Sequence, residues 1–183
     1  ILALLAAIAV PAMSPQVDAA KLEGTAEGIS SLLWRAQAEA MASKRCVRVR
    51  LSGFDVIAER LNAYDCDTSP STAPLIDSTA ARWIQIADFK LDGAQMTMSF
   101  NPVPAESSAT TLGGGEPDQL RFRPSGRLYS KDTDVTNDDG VIQITHAQMS
   151  GGGATVKVLV ESQGLICVLK RGQNPTTSGT KLK

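Results

Sequence analysis

The chain is poor in aromatic residues, in histidine and in net charge. Aromatic residues make up 4% of the 183 residues, so a core must consist mainly of Val, Ile, Leu and Ala. The single histidine, His146, has no second histidine with which to form a zinc site or a catalytic triad, and we interpret it as a surface or packing residue at a strand end. No carboxylate pair or Cys–His pair stands out, so we expect neither enzyme activity nor a cofactor. A formal net charge of −1 gives no overall electrostatic reason to expect a nucleic-acid-binding protein.

Cysteine is also scarce, and its spacing argues against the usual metal and redox motifs. The three cysteines, Cys46, Cys66 and Cys167, form no C-x-x-C pair. Three buried thiols are one interpretation, because a free cysteine packs as a small hydrophobic residue. One disulfide is the other, in a protein outside the cytoplasm. Sequence alone leaves the pairing open, with a preference for Cys46 and Cys66, which bracket the first predicted hairpin.

Charge is missing altogether from the first 13 residues, which read ILALLAAIAVPAM. Such an all-round apolar stretch belongs in a protein core or in lipid. A membrane span requires about 20 apolar residues, so we expect further apolar residues upstream of Ile1 to complete one. The stretch fits either the end of a cleaved secretory signal or the second half of a retained span. We favour the retained span, because the apolar run passes directly into a helical pattern.

A period of 3.6 residues follows the apolar run and predicts an amphipathic helix. Five apolar residues on one face follow the spacing i, i+3, i+4, i+7 and i+11: Ile29, Leu32, Leu33, Ala36 and Ala40. Gly24 and Gly28 each weaken a helix by about 1 kcal/mol relative to alanine, so we expect a soft spot there. The pattern predicts one helix from before Ile1 to about Lys44, facing lipid at its start and packed on a domain at its end.

After Cys46 the period changes from 3.6 to two, as in the segment VRVRL, which predicts half-buried strands. Residues 65–79 and 102–117 are rich in Pro, Ser, Thr or Gly and predict loops, and Gln163-Gly164 predicts a tight hairpin turn. The predicted strands are 47–51, 54–61, 82–89, 95–100, 119–123, 126–129, 140–145, 154–161 and 165–169.

Together these elements predict an α+β fold, in which a long N-terminal hydrophobic helix packs on an antiparallel, β-rich head. The helix corresponds to residues 1–45 and the head to residues 46–183. The amphipathic half of the helix and the sheet each bury the apolar face of the other.

The densest acidic cluster lies in the segment KDTDVTNDDG. Its oxygen ligands at near-alternate positions make a weak Ca²⁺ candidate, but the spacing departs from that of a calcium-binding loop. Turn formation by Asp and Asn is the interpretation we favour. The candidate ligands are Asp132, Asp134, Asn137 and Asp138.

The C-terminal tail carries four cations, Lys170, Arg171, Lys181 and Lys183, among small polar residues. Four charges support only a weak, salt-sensitive contact with DNA, and no aromatic platform accompanies them. We therefore interpret the tail as a frayed terminus rather than as a DNA-binding segment.

Four features, in this order along the chain, resemble the GspH/FimT group of type IV pilin-like proteins. The run ILALLAAIAVPAM resembles the second half of the pilin hydrophobic helix, with Pro11 after the apolar run. The segment LWRAQAEAM resembles the helix end of the group, with Gln37 where the group has arginine. The strand VRVRL follows, and LRFRPSGR at 120–127 resembles the phenylalanine–proline–glycine strand and turn of the group.

The resemblance implies a type IV pilin fold and a structural role that needs no active site. The N-terminal helices of such proteins pack together in membrane and filament alike. The implied partners are other minor pilins and the major pilin through these helices, the inner-membrane assembly platform and lipid. The implied location is the bacterial inner membrane, crossed once, with the head in the periplasm. The residues implied to form the membrane and filament-core helix are Ile1, Leu2, Leu4, Leu5, Ile8, Val10 and Pro11.

The implied function is that of a minor pilin that helps to prime or cap the type IV pilus. Two alternatives stay open. One is a minor pseudopilin of a type II secretion system. The other belongs to a different class, a membrane-anchored extracytoplasmic module that binds a ligand or DNA.

Overall fold

The computed structural model describes residues 2–52, 55–63, 75–91, 96–103, 119–128, 139–147, 149, 154–161, 163–169 and 171. Helix α1 spans Leu2–Ser43, which confirms the predicted helix to within one residue of its predicted end. The next residue, Lys44, has a φ of 56°, the left-handed conformation common at the residue that follows a helix. Within α1, side chains are described from Gln16 onward.

The described residues of the head form eight strands in two four-stranded antiparallel sheets. The order is β3-β2-β1-β5 in the first sheet and β4-β6-β7-β8 in the second. The antiparallel α+β fold predicted from the sequence is therefore confirmed. The strands are β1 Val47–Ser52, β2 Asp55–Leu61, β3 Trp83–Lys90, β4 Met96–Val103, β5 Gln119–Phe122, β6 Asp139–His146, β7 Thr155–Val160 and β8 Ile166–Leu169.

The second half of α1 contacts strands of both sheets, so helix and sheets share one core. Alternation places Val47 and Val49 of β1 in this core, fully buried, while Arg48 and Arg50 lie on the other face. Strand β7 buries every second residue in the same way. Full burial of one such apolar side chain stabilises the fold by roughly 1.5–3 kcal/mol. The helix contributes Leu22, Ile29 and Leu33 to the centre of the core, each with no exposed surface.

Two of the sequence-based expectations for the strands were wrong. The segment predicted as a strand at 126–129 starts with a turn, in which the Gly126 N–H donates to the Arg123 carbonyl at 2.8 Å. Leu128 makes only an isolated bridge to Phe122, and residue 129 lies outside the described residues. The loop predicted from Pro102 begins later, because β4 continues to Val103. Proline is tolerated there because β4 is an edge strand, where a missing N–H removes no ladder hydrogen bond.

The two helix glycines differ in their surroundings, and α1 is continuous through both. A Cβ atom at Gly28 would lie 2.3 Å from Cε2 of Phe89, so the aromatic ring packs directly against the helix backbone. A Cβ atom at Gly24 would meet nothing within 4 Å. We expected the helix to be weakened at both glycines, but at Gly28 the helix is closely packed against the head.

A polar cluster lies on the face of the first sheet that points away from α1. The Glu59 carboxylate accepts from Nε of Arg48 at 2.7 Å and from Nε of Arg50 at 2.9 Å. The Arg48 guanidinium lies 4.1 Å from the ring centroid of Trp83. Burial acts to raise the pKa of Glu59, but the hydrogen bonds and charges of Arg50 and Arg48 outweigh it and hold that pKa below its usual value.

We expect Glu59→Gln to lower the free energy of unfolding by about 1–3 kcal/mol at pH 7, since hydrogen bonds to charged groups are lost. A carboxyl whose pKa is depressed by folding contributes stability above its unfolded pKa, about 4.3, and loses it as the pH falls through the folded pKa. Urea unfolding below pH 5 should therefore show a smaller loss of stability for the variant than for the wild type. Asp88→Asn, at an exposed carboxylate of β3, is the control and should change the free energy of unfolding at pH 7 by less than about 0.5 kcal/mol.

Candidate assembly interface

The described part of α1 has two faces of different chemistry. From Ala19 onward, one face is buried against the head. The opposite face, here called the outward stripe, carries the exposed charged residues Glu27 and Arg35 among small exposed residues: Ala20, Gly24, Ser31, Ala38 and Ala42. Small residues let another helix approach the backbone closely. The outward stripe is therefore suited to packing against a second helix.

Two large apolar side chains flank the outward stripe on one side. Trp34 is 47% exposed and Met41 is 43% exposed. At about 100° per residue, Trp34 lies only about 20° around the helix axis from Glu23. Trp34, Met41 and Glu23 therefore lie on the same side of the helix. Gln37 lies next to this side, towards the head.

Gln37 joins the helix to two turns of the head. Its Nε2 donates to the Gly126 carbonyl and to the Gly164 carbonyl, both at 2.8 Å, and the side chain is buried. Gly126 follows β5 of the first sheet, and Gly164 lies in the hairpin between β7 and β8 of the second. We call Gln37, Gly126 and Gly164 the turn junction. In the sequence, Gln37 stood out only because the GspH/FimT group has arginine at this position. Its place on the apolar face of the helix, four residues after Leu33, could have indicated that the side chain is buried.

Both turns of the junction require glycine. Gly126 has a φ of 79° and Gly164 a φ of 92°, in the region that residues with a side chain rarely adopt. A Cβ atom at Gly164 would lie 2.3 Å from the Gly126 carbonyl oxygen. The Gly164 N–H donates to the Glu161 carbonyl at 2.7 Å, which confirms the hairpin turn predicted at Gln163-Gly164.

Two ion pairs attach α1 to the head on either side of this region. Arg60 of β2 lies 2.6 Å from Glu39, measured from Nη1 to Oε1. Arg171, just beyond β8, lies 3.0 Å from Glu23, measured from Nε to Oε1. These contacts and the turn junction hold the helix at three places, so the outward stripe has a defined orientation relative to the head.

A family match and structural similarities agree with this architecture. The sequence pattern of the family described as "Type II transport protein GspH" matches residues 25–164, most of the chain. The chain belongs to the GspH family. No curated protein sequence matches it.

Two solved structures share the fold of this GspH-family protein. The type IV minor pilin FimU of Pseudomonas aeruginosa is 12% identical with a TM-score of 0.53, over 85% of this chain and 92% of that one. The minor pseudopilin EpsH of Vibrio cholerae is 13% identical with a TM-score of 0.53, over 85% of this chain and 99% of that one. The chain is thus a GspH-family protein whose fold is shared by a type IV minor pilin and a minor pseudopilin.

The predicted filament-core residues of the GspH-family chain lie in or next to α1. Leu2, Leu4, Leu5, Ile8, Val10 and Pro11 belong to the helix, and Ile1 lies outside the described residues. Within the part of the chain that the structure describes, no helix combines the length and the apolar character that crossing a membrane requires. The membrane role of these residues therefore stays a prediction.

The structure describes some of the other candidate site residues of the GspH-family head and not others. His146 is 1% exposed, which makes it a packing residue, and its Nε2 lies 3.9 Å from Oδ1 of Asp18. Among the described residues, no group of three or more His, Cys, Asp or Glu side chains could hold a metal ion. The calcium candidates Asp132, Asp134, Asn137 and Asp138 lie outside those residues.

The basic tail and the cysteines are described only in part. Arg171 pairs with Glu23, and the other tail cations, Lys170, Lys181 and Lys183, lie outside the described residues.

Cys46 is buried, and Cys167 is a free thiol whose pKa is raised by burial and by Glu161. Cys66 lies outside the described residues, so its pairing with Cys46 stays a prediction.

Proposed function

We propose that this chain is a minor pilin, a structural subunit that helps to prime or cap a type IV pilus. The observation that carries the proposal is the two-faced helix. One face is fixed to the head by burial and by the turn junction, while the outward stripe is exposed along the same stretch. A helix held in this way presents its free face to neighbouring helices at a set angle.

Helix α1 performs this role by packing rather than by chemistry. Its 42 residues span about 63 Å, more than the thickness of a bilayer. The apolar residues at its start contact lipid before assembly and pack against the helices of other subunits afterwards, because Leu and Ala side chains are stable in both apolar environments. The partners are other minor pilins, the major pilin and the inner-membrane assembly platform. The head lies in the periplasm, and neither a catalytic group nor a cofactor is needed.

A minor pseudopilin of a type II secretion system is the second candidate. The specific observation in its favour is the family match, whose description names type II transport. The same helix and head would then serve a short pseudopilus.

The experiment that tests the filament role is Leu4→Asp in the full-length gene product, expressed in its own bacterium. An acidic side chain at the centre of a bilayer is unfavourable by about 2.5–3.5 kcal/mol, so membrane retention should fall by roughly a hundredfold. Assembly should fall with it, because helices enter the filament from the membrane. Membrane fractionation and immunoblots of sheared filaments measure the two quantities.

Thr97→Asp is the matched control, since it adds the same charge at an exposed position of β4. It should leave both quantities unchanged. Wild-type amounts of the Leu4→Asp variant in sheared filaments would remove the helix from the filament core. Deletion of the gene separates the two machines: loss of surface pili supports the pilus, and loss of exoprotein secretion supports the pseudopilus.

A further inference from the structure

The last residue of β6 is a histidine whose ring is buried without a hydrogen bond. His146 is 1% exposed, and its two ring nitrogens, Nδ1 and Nε2, have no hydrogen-bond partner among the described residues. Buried polar groups in folded proteins are nearly always hydrogen-bonded, and each one left without a partner is unfavourable. An apolar side chain would serve packing equally well, so the imidazole of His146 requires another explanation.

An acidic group lies opposite this ring, on the turn of α1 that first touches the head. Nε2 of His146 is 3.9 Å from Oδ1 of Asp18, and Asp18 is the one acidic residue within 4 Å of the ring nitrogens among the described residues. A hydrogen bond between an imidazolium and a carboxylate requires about 2.7–2.9 Å, so the contact is open by about 1 Å. The Asp18 side chain is 22% exposed, and a side-chain rotation is enough to close a gap of this size.

The contact lies at the place where α1 leaves the head. Ala19 is the first buried residue among the described helix side chains, whereas Gln16 and Val17 are exposed. The contact of Asp18 with His146 is therefore the first polar contact between helix and head along the described side chains. A bond at this position determines how firmly the first head-contacting turn of the helix is held.

The other charges on the described elements around the ring point elsewhere. On α1, Lys21 is exposed to solvent. Strand β4, which places Met96 opposite His146, contains no ionisable residue, and the described residues after β6 carry no charge. Strand β7 carries Lys157, but its register partner is Gln143, three residues before His146 and hence on the other face of the sheet. Within the described part of the chain, Asp18 is thus the charged group that the ring faces.

We propose that His146 and Asp18 form a pH-dependent clasp between the head and α1. Histidine is the side chain whose charge changes between about pH 5 and 8. When the ring of His146 is protonated, both nitrogens are donors, and Nε2 donates to the Asp18 carboxylate. The clasp is then closed and fixes the first head-contacting turn of the helix. When the ring is neutral, the attraction between opposite charges is lost and the clasp is open.

The consequence of the clasp for a filament rests on the proposed function. A subunit that packs through α1 depends on the angle between its helix and its head. A closed clasp extends the fixed part of the helix to Asp18, whereas an open clasp leaves that turn freer to move against the head. Mild acidity outside the cytoplasm therefore stiffens the joint between the two parts of the subunit.

Hydrogen exchange of the purified full chain tests the clasp, measured at the backbone amides of residues 16–24 of α1 at pH 5.5 and pH 8.0. We compare protection factors, because they remove the intrinsic effect of pH on exchange. In the wild type they should be about tenfold higher at pH 5.5, since local opening of this turn is suppressed when the clasp is closed. Asp18→Asn should reduce this difference to within about twofold.

Asp92→Asn is the matched control. Asp92 is the one ionisable residue of segments 92–95 and 150–153, which lie outside the described residues, and it comes four positions before Met96. The control should keep the tenfold difference of the wild type.

The ring itself gives a second measurement, because His146 is the only histidine of the chain and its signals are unique. In an untagged, ¹⁵N-labelled chain at pH 5.5, the proton on Nε2 should resonate downfield of its position in Asp18→Asn. Such a shift is the sign of a hydrogen bond to a carboxylate. This measurement requires no substitution at the buried histidine.

Four results would overturn the proposal: equal protection at the two pH values, lower protection at pH 5.5, a pH response that survives in Asp18→Asn, or its loss in Asp92→Asn. An unchanged Nε2 proton signal in Asp18→Asn would also overturn it. Absence of the wild-type chain from filaments would instead overturn the proposed function, and would leave these measurements on the purified chain unaffected.

Discussion

Replacing Gly164 with alanine is expected to lower the free energy of unfolding by about 3 kcal/mol or more. The added Cβ atom would lie 2.3 Å from the Gly126 carbonyl oxygen and 2.4 Å from Nε2 of Gln37. The first of these neighbours is backbone, so it cannot move aside as a flexible side chain would. The φ of 92° at Gly164 adds strain for any residue with a side chain. The turn must therefore shift, and both hydrogen bonds of Gln37 are disturbed.

Urea unfolding of the purified chain measures this effect, and Gly24→Ala is its control. Gly24 lies on the outward stripe, where a Cβ atom would meet nothing within 4 Å. Alanine there should raise the free energy of unfolding by up to about 1 kcal/mol, because glycine is a weak helix former. Opposite signs for the two substitutions are the expected result. A Gly164→Ala variant as stable as the wild type would show that the two turns are not in tight contact.

Replacing Gln37 with glutamate is expected to have the second large effect. The substitution keeps the shape of the side chain but replaces a donor by a carboxylate that faces two carbonyl oxygens, each now 2.8 Å from the amide nitrogen. The carbonyl oxygens of Gly126 and Gly164 lose their hydrogen-bond donor. The buried carboxylate is also repelled by these two oxygens, which carry partial negative charge. Removing one partner of a buried polar contact costs about 1–3 kcal/mol, so we expect a loss of about 3–5 kcal/mol at pH 7.

The pH dependence separates this mechanism from a general loss of packing. A protonated carboxyl can donate one hydrogen bond, so the deficit of the Gln37→Glu variant relative to the wild type should shrink as the pH falls towards 4. Gln163→Glu, at an exposed position of the β7–β8 hairpin, is the control and should change stability by less than about 0.5 kcal/mol. A deficit that is constant from pH 7 to pH 4 would contradict the assigned role of the amide group.

The helix was predictable because its apolar residues repeat at one period over many turns. Ile29, Leu33 and Ala40 follow that period, and all three are fully buried. The end of the helix near Lys44 followed from the change to a period of two. Most strands were predictable for the same reason, since alternation such as that of Val47 and Val49 survives in the sheet.

The errors arose where contacts distant in sequence decide the conformation. The segment after Ser125 alternates like a strand, but the close approach of the two turns at Gly126 makes it a bend. Pro102 looked like the start of a loop, yet an edge position accommodates it in β4. The ion pair between Arg171 and Glu23 had no local signal, because the two residues come together only when β8 lies along α1.

The contact between Gln37 and Gly164 spans 127 positions of the chain. The apolar face of α1 is translated first, but strands that cover it, β7 and β8, are among the last described elements to be made. During synthesis, Leu22, Ile29 and Leu33 of the helix therefore stay uncovered until β7 and β8 have been made. Contacts of such long sequence separation slow folding. The nascent chain is thus most prone to aggregate just before the last of the described strands, β8, has been made.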